Sequence, residues 1–343
     1  MELPAAGRPL QAAWRRRLPE PGPGQLRIRV AACGVCRTDL HLADGDLAHP
    51  GRPVVPGHEI VGRVTAIGPA HAGAEGTHAQ PGEFHLGQRV GVPWLGWTCG
   101  HCAACTGGHE NLCAEARFTG WQLDGGYAEH ALVDARYAFA LPDRYSDEQA
   151  APLLCAGLIG YRAYARALAR GEVRRLGLFG FGAAAHLIAQ VAVSQRREVF
   201  AFTRPGDAPA QALARQLAAS WAGGSDAAAP VPLDAAIIFA PVGALVPAAL
   251  RAVRPGGTVV CAGIHMSDVP AMPYALLWGE RALLSVAHLT RADGLAFMRL
   301  AAEVPLEVHT HRYALADAQR ALDDLRAGAF SGAAVLVPGA PAS

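Results

Sequence analysis

No lysine occurs in this 343-residue chain; all 30 of its basic residues are arginine. That absence excludes Schiff-base and pyridoxal-phosphate chemistry, which needs a lysine amine. It also excludes the Walker loop and the kinase ATP site, which need a lysine on the phosphates. A short-chain dehydrogenase mechanism built on a Tyr and Lys pair goes with them. Long hydrophobic runs are lacking too. The longest, Ala235 to Leu250, has 16 residues and is broken by Pro241, Gly243 and Pro247, short of a membrane span. The first 30 residues carry Arg15, Arg16, Arg17 and several prolines without an apolar stretch of signal-peptide length, so a cytoplasmic chain without membrane contact is expected. Charge of one sign is not in excess: a formal net charge of +1 with 17% charged residues offers no field to draw nucleic acid or an anionic surface. At 51% hydrophobic the chain can bury a real core, and its length suggests two domains.

From Gln25 to about Asp143 the text is strand-like. Leu26 to Ala32, Ile60 to Ile67, Arg89 to Val92 and Tyr127 to Val133 are short runs rich in Val, Ile and Leu between Gly and Pro clusters, which predicts a β-rich domain. Gly68 to His85, with His71, His78 and His85, reads as a long exposed loop with solvent-facing histidines. At Ser146 the style changes. Ser146 to Gln149 offers N-cap chemistry to a helical segment over Ala150 to Leu168, interrupted at Pro152 and Gly157. Strands then alternate with helices: Leu176 to Phe179, helix Ala183 to Gln195, Val199 to Phe202, helix Ala208 to Ala219, Ala235 to Ala240, Thr258 to Ala262 and Leu283 to Leu289. This alternation predicts an α/β fold with a parallel sheet and helices on both faces. The tail holds an amphipathic helix, Leu315 to Ala327, closed by Gly328, and a last strand, Ala333 to Val337, that rejoins the first domain.

Half of the eight cysteines lie within 15 residues, as Cys99, Cys102, Cys105 and Cys113. Four soft thiolate donors so spaced suit a closed tetrahedral zinc site, with Gly100, Gly107 and Gly108 letting the chain curl around the ion. Such a site is structural, because four protein ligands leave no place for substrate. Zinc ribbons that bind nucleic acid pair two distant knuckles with a basic surface, and neither is present. A second polar grouping joins Cys36, Arg37, Thr38, Asp39 and His41 to His58 and Glu59, with Cys155 far downstream. Spacing alone does not join these three stretches: Cys155 also reads as a packed helix residue and His58 as a turn histidine.

The order Cys-x-Thr-Asp-x-His, Gly-His-Glu, the four-cysteine lobe, and a Cys before a Gly-x-Gly-x-x-Ala loop resembles the zinc-dependent alcohol dehydrogenases of the medium-chain dehydrogenase/reductase superfamily. The resemblance covers Gln25 to Val337. It implies a GroES-like β-barrel catalytic domain over 1–154, a Rossmann doubly wound parallel-sheet nucleotide-binding domain over 155–288, and a return to the catalytic domain over 289–343. It implies that Cys36, His58 and Cys155 hold a catalytic zinc, distinct from the structural one, which polarises a carbonyl and lowers the pKa of a bound alcohol. Thr38 and His41 would relay the alcohol proton by way of the nicotinamide ribose. Asp39 would orient the ligand histidine, and Glu59 would be the acid beside the metal. Cys33 and Cys261 are left as structural. A homodimer or homotetramer acting on a small alcohol or aldehyde follows from the same resemblance.

Gly180-Phe181-Gly182-Ala183-Ala184-Ala185, after a strand and opening a helix, is the dinucleotide fingerprint in its G-x-G-x-x-A form. Gly180 permits the turn, Gly182 lets backbone approach the pyrophosphate, Ala185 allows close helix packing, and the N–H groups of Ala183 and Ala184 face the pyrophosphate. Arg37, by family position, adds a charge, and His186 is a packing residue. The second strand of this unit ends in Phe202-Thr203-Arg204, with no carboxylate for a ribose 2′-hydroxyl. A hydroxyl and a guanidinium there favour NADP(H), with NAD(H) as the alternative. Trp94, where the resemblance places a pocket wall, favours primary alcohols and aldehydes; Trp97, Trp121 and Trp278 are left unplaced. Polyols, cinnamyl-type aldehydes or a thiol adduct are the alternatives within the superfamily. A non-catalytic, zinc-stabilised redox sensor is the alternative outside it, which Thr38 and His41 oppose.

Overall fold

The computed structural model describes residues 1–14, 18–70, 84–330 and 332–340. Arg15 to Arg17, His71 and His78 lie outside the described residues; His85 is exposed. Two units arise from the contacts: Met1–Cys155 with Thr290–Glu303 and Val308–Ser343, and Ala156–Leu289 with Val304–Glu307.

The first unit begins with β1 (Gln25–Val35), α1 (Arg37–Asp44), β2 (Glu59–Ile67), β3 (Arg89–Val92) and β4 (Leu95–Trp97). It continues through α2 (Ala103–Thr106), β5 (Arg117–Phe118), β6 (His130–Asp134), β7 (Phe139–Ala140) and α3 (Asp147–Ala150). Along β1 buried and less buried residues alternate at first and then become uniformly buried, because the strand pairs antiparallel with β2 and with β6, crossing from one partner toward a third. Ser146 caps α3 reciprocally with Gln149: Ser146 Oγ accepts from the Gln149 N–H at 3.1 Å, and the Gln149 side chain accepts from the Ser146 N–H at 3.1 Å. The helical segment expected over Ala150 to Leu168 breaks where Pro152 forces a 3-10 turn, Ala151–Leu154, and Cys155 departs from helical geometry with ψ −72° at φ −126°.

The second unit holds α4 (Ala156–Leu168), β8 (Arg175–Phe179), α5 (Ala183–Ser194), β9 (Glu198–Thr203), α6 (Ala208–Gln216) and β10 (Trp221–Gly224). After these come β11 (Leu233–Ile238), α7 (Leu245–Ala252), β12 (Val253–Cys261) and β13 (Ala282–Ser285). Its six strands run in the order β10-β9-β8-β11-β12-β13, every pair parallel. The chain reverses at β8, so β8 and β11 flank the point where connections leave in opposite directions, the place such sheets use for ligands. Apart from Arg175 and Asp234 near their starts, both strands are buried apolar text, as central parallel strands must be.

The remainder returns to the first unit as α8 (Arg291–Glu303), β14 (Thr310–Ala314), α9 (Ala318–Ala327) and β15 (Ala333–Val337). β15 pairs with β1, completing the order β14-β15-β1-β2-β3-β7, with β6 also on β1. Gly328 closes α9 at φ 66°, a left-handed cap that suits glycine. Among the described residues no helix is long and apolar enough to cross a membrane.

Candidate active site and metal centres

Cys36 stands at the N-cap of α1. Its sulfur accepts from the Thr38 N–H at 3.3 Å, while Asp39 reaches back to accept from the Cys36 N–H at 2.9 Å. The same Asp39 carboxylate accepts from the Gly57 N–H at 3.2 Å and lies 3.6 Å from His58 Nδ1. One buried carboxylate thus fixes both the helix start that bears Cys36 and the loop that bears His58. It also directs the imidazole so that Nε2 faces Cys36 Sγ at 3.1 Å. Cys155, at the end of its 3-10 turn, brings its sulfur to 4.0 Å from Cys36 Sγ. Cys36, His58, Glu59 and Cys155 together place their ligand atoms within 4.8 Å of one another.

The charges of this cluster shift one another. The Cys155 thiol and His58 hold the Cys36 thiol well below its ordinary range despite burial, and the same contact pushes Cys155 up. Burial pulls the His58 imidazole down, but the Cys36 and Asp39 charges outweigh it and raise it. Burial raises Glu59, reinforced by Cys36. Thiolate, carboxylates and imidazole are collected where water is excluded, and two sulfurs with one nitrogen are the donor set of a catalytic zinc. Glu59 fits only because its neighbour across the strand pair is Gly34; a Cβ there would stand 1.8 Å from Glu59 Oε2.

Cys99, Cys102, Cys105 and Cys113 also gather within 4.8 Å. Two of their sulfur pairs stand 3.6 and 3.9 Å apart, which matches the ~3.8 Å edges of a tetrahedron with bonds of about 2.3 Å. Backbone N–H groups of His101 and Cys102 lower the Cys99 thiol to about 6, and burial pushes Cys105 up to about 12. Positive φ at Gly100 (80°) and Gly108 (72°) turns the chain around the cluster. Glu110 ties the lobe to its unit by accepting from the Arg291 N–H, at the start of α8, at 2.6 Å.

Thr38 and His41 lie one turn apart on α1, so they share a face. His41 Nδ1 is 2.7 Å from Asp46 Oδ2, a partner that sequence reading did not single out although it stands five residues away. Trp94 is buried 6.0 Å from the His58 ring, and Phe118 and Trp121 extend it into an aromatic wall, with ring centroids 4.6 and 6.1 Å from Trp94. Phe118 carried no sequence signal. Trp97 sits under Arg117 and Arg136 on the lobe side, and Trp278 is exposed in the other unit. Cys33 is buried and packs where a Cβ at Gly57 or Gly126 would stand, and Arg37 is exposed at the first turn of α1.

In the second unit Gly180 takes φ 88°, and a Cβ on it would meet Ala240 at 2.8 Å. Gly182 caps α5 without a side chain, and nothing stands within 4 Å of where its Cβ would be. The first N–H groups of the helix, at Ala183 and Ala184, are therefore open to an anion, while Ala185 is fully buried. His186 is buried within the helix. At the end of β9, Thr203 is buried and its hydroxyl is engaged: it donates toward Arg204 O (3.0 Å) and Gly223 O (3.3 Å) and accepts from Gln211 at 3.1 Å. Arg204 is exposed. The nearby Asp207 carboxylate caps α6, accepting from the Ala210 N–H at 3.1 Å.

A parallel nucleotide-binding sheet with a glycine phosphate loop, joined in one chain to a β-rich unit with two thiolate-rich clusters of metal-ligating residues, defines the class of metal-dependent dinucleotide oxidoreductases. Residues 22–143 match the alcohol dehydrogenase GroES-like domain. A relative from Mycobacterium tuberculosis, "Probable alcohol dehydrogenase AdhA", is 51% identical over 323 residues, covering 94% of this chain and 91% of that protein. Among solved structures, a cinnamyl alcohol dehydrogenase from Sorghum bicolor superposes with a TM-score of 0.84 at 26% identity, covering 97% and 95% of the two chains. Acetophenone reductase from Geotrichum candidum, in complex with NAD, gives 0.80 at 25% identity, covering 93% and 91%. The chain belongs to the zinc-type alcohol dehydrogenases of the medium-chain dehydrogenase/reductase superfamily. It is an oxidoreductase of alcohols and aldehydes that uses zinc and a nicotinamide cofactor.

Proposed function

We propose that the chain interconverts primary alcohols and aldehydes with NADP(H), using one catalytic and one structural zinc. The observation that carries this reading is the convergence of Cys36, His58 and Cys155 beside the Thr38–His41 face of α1. Cys36, His58 and Cys155 would hold the catalytic ion, which supplies Lewis acidity to an alcohol or carbonyl oxygen when bound. Thr38 Oγ1 takes the alcohol proton. His41, with Asp46 at 2.7 Å, passes it toward solvent. Asp39 keeps His58 in the tautomer that leaves Nε2 free to ligate. Glu59, grouped with Cys36, His58 and Cys155, would supply a carboxylate oxygen to the ion in place of water. Cys99, Cys102, Cys105 and Cys113 would hold the structural ion.

The pyrophosphate binds at the start of α5, on the N–H groups of Ala183 and Ala184. Arg204 meets the 2′-phosphate; Thr203, its hydroxyl spent internally, shapes the strand end instead. Asp207, the nearest acidic residue along the chain, is committed to its cap. The Trp94–Phe118–Trp121 wall narrows the space next to His58, which favours primary over bulky secondary alcohols and supports flat cinnamyl-type aldehydes as a second substrate class. Self-association is supported by β13, an edge strand, and by exposed Tyr274 (70%) and Trp278 (69%) just before it. A reducing cytoplasm suits eight free cysteines.

The test is metal content with steady-state kinetics. Two zincs per chain are expected, with NADPH preferred to NADH over an aldehyde panel. Cys36→Ser should abolish turnover and leave the fold intact. Unchanged activity would refute the catalytic-zinc assignment, and a strong NADH preference would refute the cofactor assignment. Light scattering against a protomer of 35.7 kDa decides between dimer and tetramer.

A further inference from the structure

In the nucleotide-binding sheet, the connections β8→β9, β9→β10 and β11→β12 carry α5, α6 and α7. The connection β10→β11 carries none: residues 225–232 run from Gly224 to Leu233 without a helix. A parallel crossover ordinarily needs a dozen or more residues and a helix. These eight must also pass two intervening strands, β9 and β8, a lateral distance of ~14 Å at about 4.8 Å per strand. They must return to the start of β11 as well. Their full extension is only ~27 Å, so the segment has no length to spare for a helix, and Ala229 and Val231 cover the sheet face in its place.

The space where a helix would pack is a cavity of about 630 Å³, within the range of small-molecule sites. Its accessible apolar lining is Ala229, Val231, Ala248 and Ala252, backed by the buried Phe179–Phe202 pair, stacked at 4.1 Å with an interplanar angle of 2°. Its polar rim is cationic: Arg251, Arg254 and Arg281, against the single lining carboxylate of Asp226. Arg254 is paired with Asp234 at 2.7 Å. Arg281 donates to Val253 O at 3.0 Å and Trp278 O at 2.7 Å, which leaves part of its guanidinium free. The exposed side chain of Arg251 has no hydrogen bond or ion pair among the described residues. The lining includes neither the Gly180–Ala185 loop nor Thr203 and Arg204, so this is not the proposed cofactor site.

We propose that this cavity binds a small organic anion with an apolar or aromatic body. The body lies against Ala229, Val231, Ala248 and Ala252, and the anionic head takes charge-assisted hydrogen bonds from Arg251 and Arg281. A neutral ligand of the same shape loses the guanidinium contacts, and an inorganic anion loses the apolar wall.

The experiment is fluorescence titration of the metal-loaded enzyme, saturated with NADP⁺, with 8-anilinonaphthalene-1-sulfonate and with N-phenyl-1-naphthylamine, which has the same rings without the sulfonate. Arg251→Gln, at an exposed and unpartnered position, should weaken sulfonate binding by about tenfold and barely change the neutral amine. Ala229→Trp, which sets an indole across the apolar lining, should abolish both signals. Alcohol turnover should be unchanged in each variant. Displacement of the sulfonate by the cofactor, equal affinity in parent and Arg251→Gln, or binding that survives Ala229→Trp would each overturn the proposal.

Discussion

Gly34→Ala places one methyl group into the most tightly constrained part of the metal-binding unit. The new Cβ would stand 1.8 Å from Glu59 Oε2, 2.7 Å from its Cδ and 2.9 Å from its Cβ. Rotating the Glu59 side chain relieves the first two contacts, but the third is fixed by the strand pair, in which Gly34 and Glu59 are register partners. β1 and β2 must therefore part locally by several tenths of an ångström. Overpacking of this kind costs ~1–3 kcal/mol, and weakening the local ladder adds about 1 kcal/mol, so a loss near 3 kcal/mol is expected in urea melts. Cys36 follows two residues after Gly34 and His58 precedes Glu59, so both ligands move with the strands. Misplacement on the scale of 1 Å costs roughly 100-fold in kcat/KM. Glu59→Gly in the same chain removes the Cβ contact together with the other two. The double variant should therefore recover about half of the stability lost, a coupling of ~1–2 kcal/mol. A Gly34→Ala enzyme within about 0.5 kcal/mol of the parent, or a double variant with no recovery, would refute the reasoning.

Asp234, on β11, accepts from the Arg174 and Arg175 N–H groups at 2.9 and 2.8 Å and from Arg254 at 2.7 Å. Burial pulls its carboxyl up, but these donors, Arg254 foremost, outweigh it and hold the pKa below its ordinary value. A depressed folded pKa gives stability that is present above the unfolded pKa of about 4 and is lost as pH falls through the folded value. Asp234→Asn should cost ~1–3 kcal/mol at pH 7, with the gap to the parent closing on acidification in pH-stepped melts; a gap that widens would contradict the assignment. Arg204→Ala should lower kcat/KM for NADPH by about 10- to 100-fold and leave NADH kinetics nearly unchanged, and equal losses for both cofactors would remove Arg204 from the 2′-phosphate. Cys113→Ser should lower zinc content by one ion per chain and lower the melting temperature. The Glu110–Arg291 tie should then loosen, read as faster amide exchange at the start of α8. Ser146→Ala should cost about 1 kcal/mol through lost capping.

What was legible in the sequence follows from how far the deciding contacts reach along the chain. The four-cysteine lobe declares itself because its ligands are neighbours in sequence, and the glycine loop because strand, turn and helix are consecutive. Ala333–Val337 and Arg89–Val92 are strands to the residue, since alternation and flanking glycine act locally. Cys36, His58 and Cys155 could be joined only by resemblance, because Cys36 and Cys155 are 119 positions apart and no periodicity links them. Among the elements that escaped, three did so for different reasons. α1 hides behind the Thr-Asp-x-His text, which is polar where a helix would show an apolar stripe, and its capping by a cysteine is not a standard signal. β10, Trp221–Gly224, ends in two glycines that local propensity reads as a turn, yet pairing with β9 makes it a strand. α8 was hidden because its buried Gly294 sits against the ring of Phe139, where only a glycine fits and where helix propensity counts against it.

The aromatic wall shows why the site's specificity stayed out of reach while its chemistry did not. Chemistry is carried by residue types that are rare and costly to bury, so Cys, His and Asp draw notice wherever they stand. Specificity is carried by Trp94, Phe118 and Trp121, ordinary core residues whose meaning comes only from the 4.6 to 6.1 Å spacing of their rings beside His58. Trp121 is held there by one directional contact, its indole N–H donating to Ala48 O at 2.8 Å. Trp121→Phe keeps the apolar surface and removes that tether. If the wall sets substrate width, kcat/KM for a bulky secondary alcohol should rise relative to a primary one, by an amount within the ~1–3 kcal/mol that a methylene-scale change in an apolar pocket carries. Thermal stability should fall by no more than the ~1 kcal/mol net worth of one hydrogen bond. A uniform loss across both alcohols would instead assign the tryptophan to packing alone.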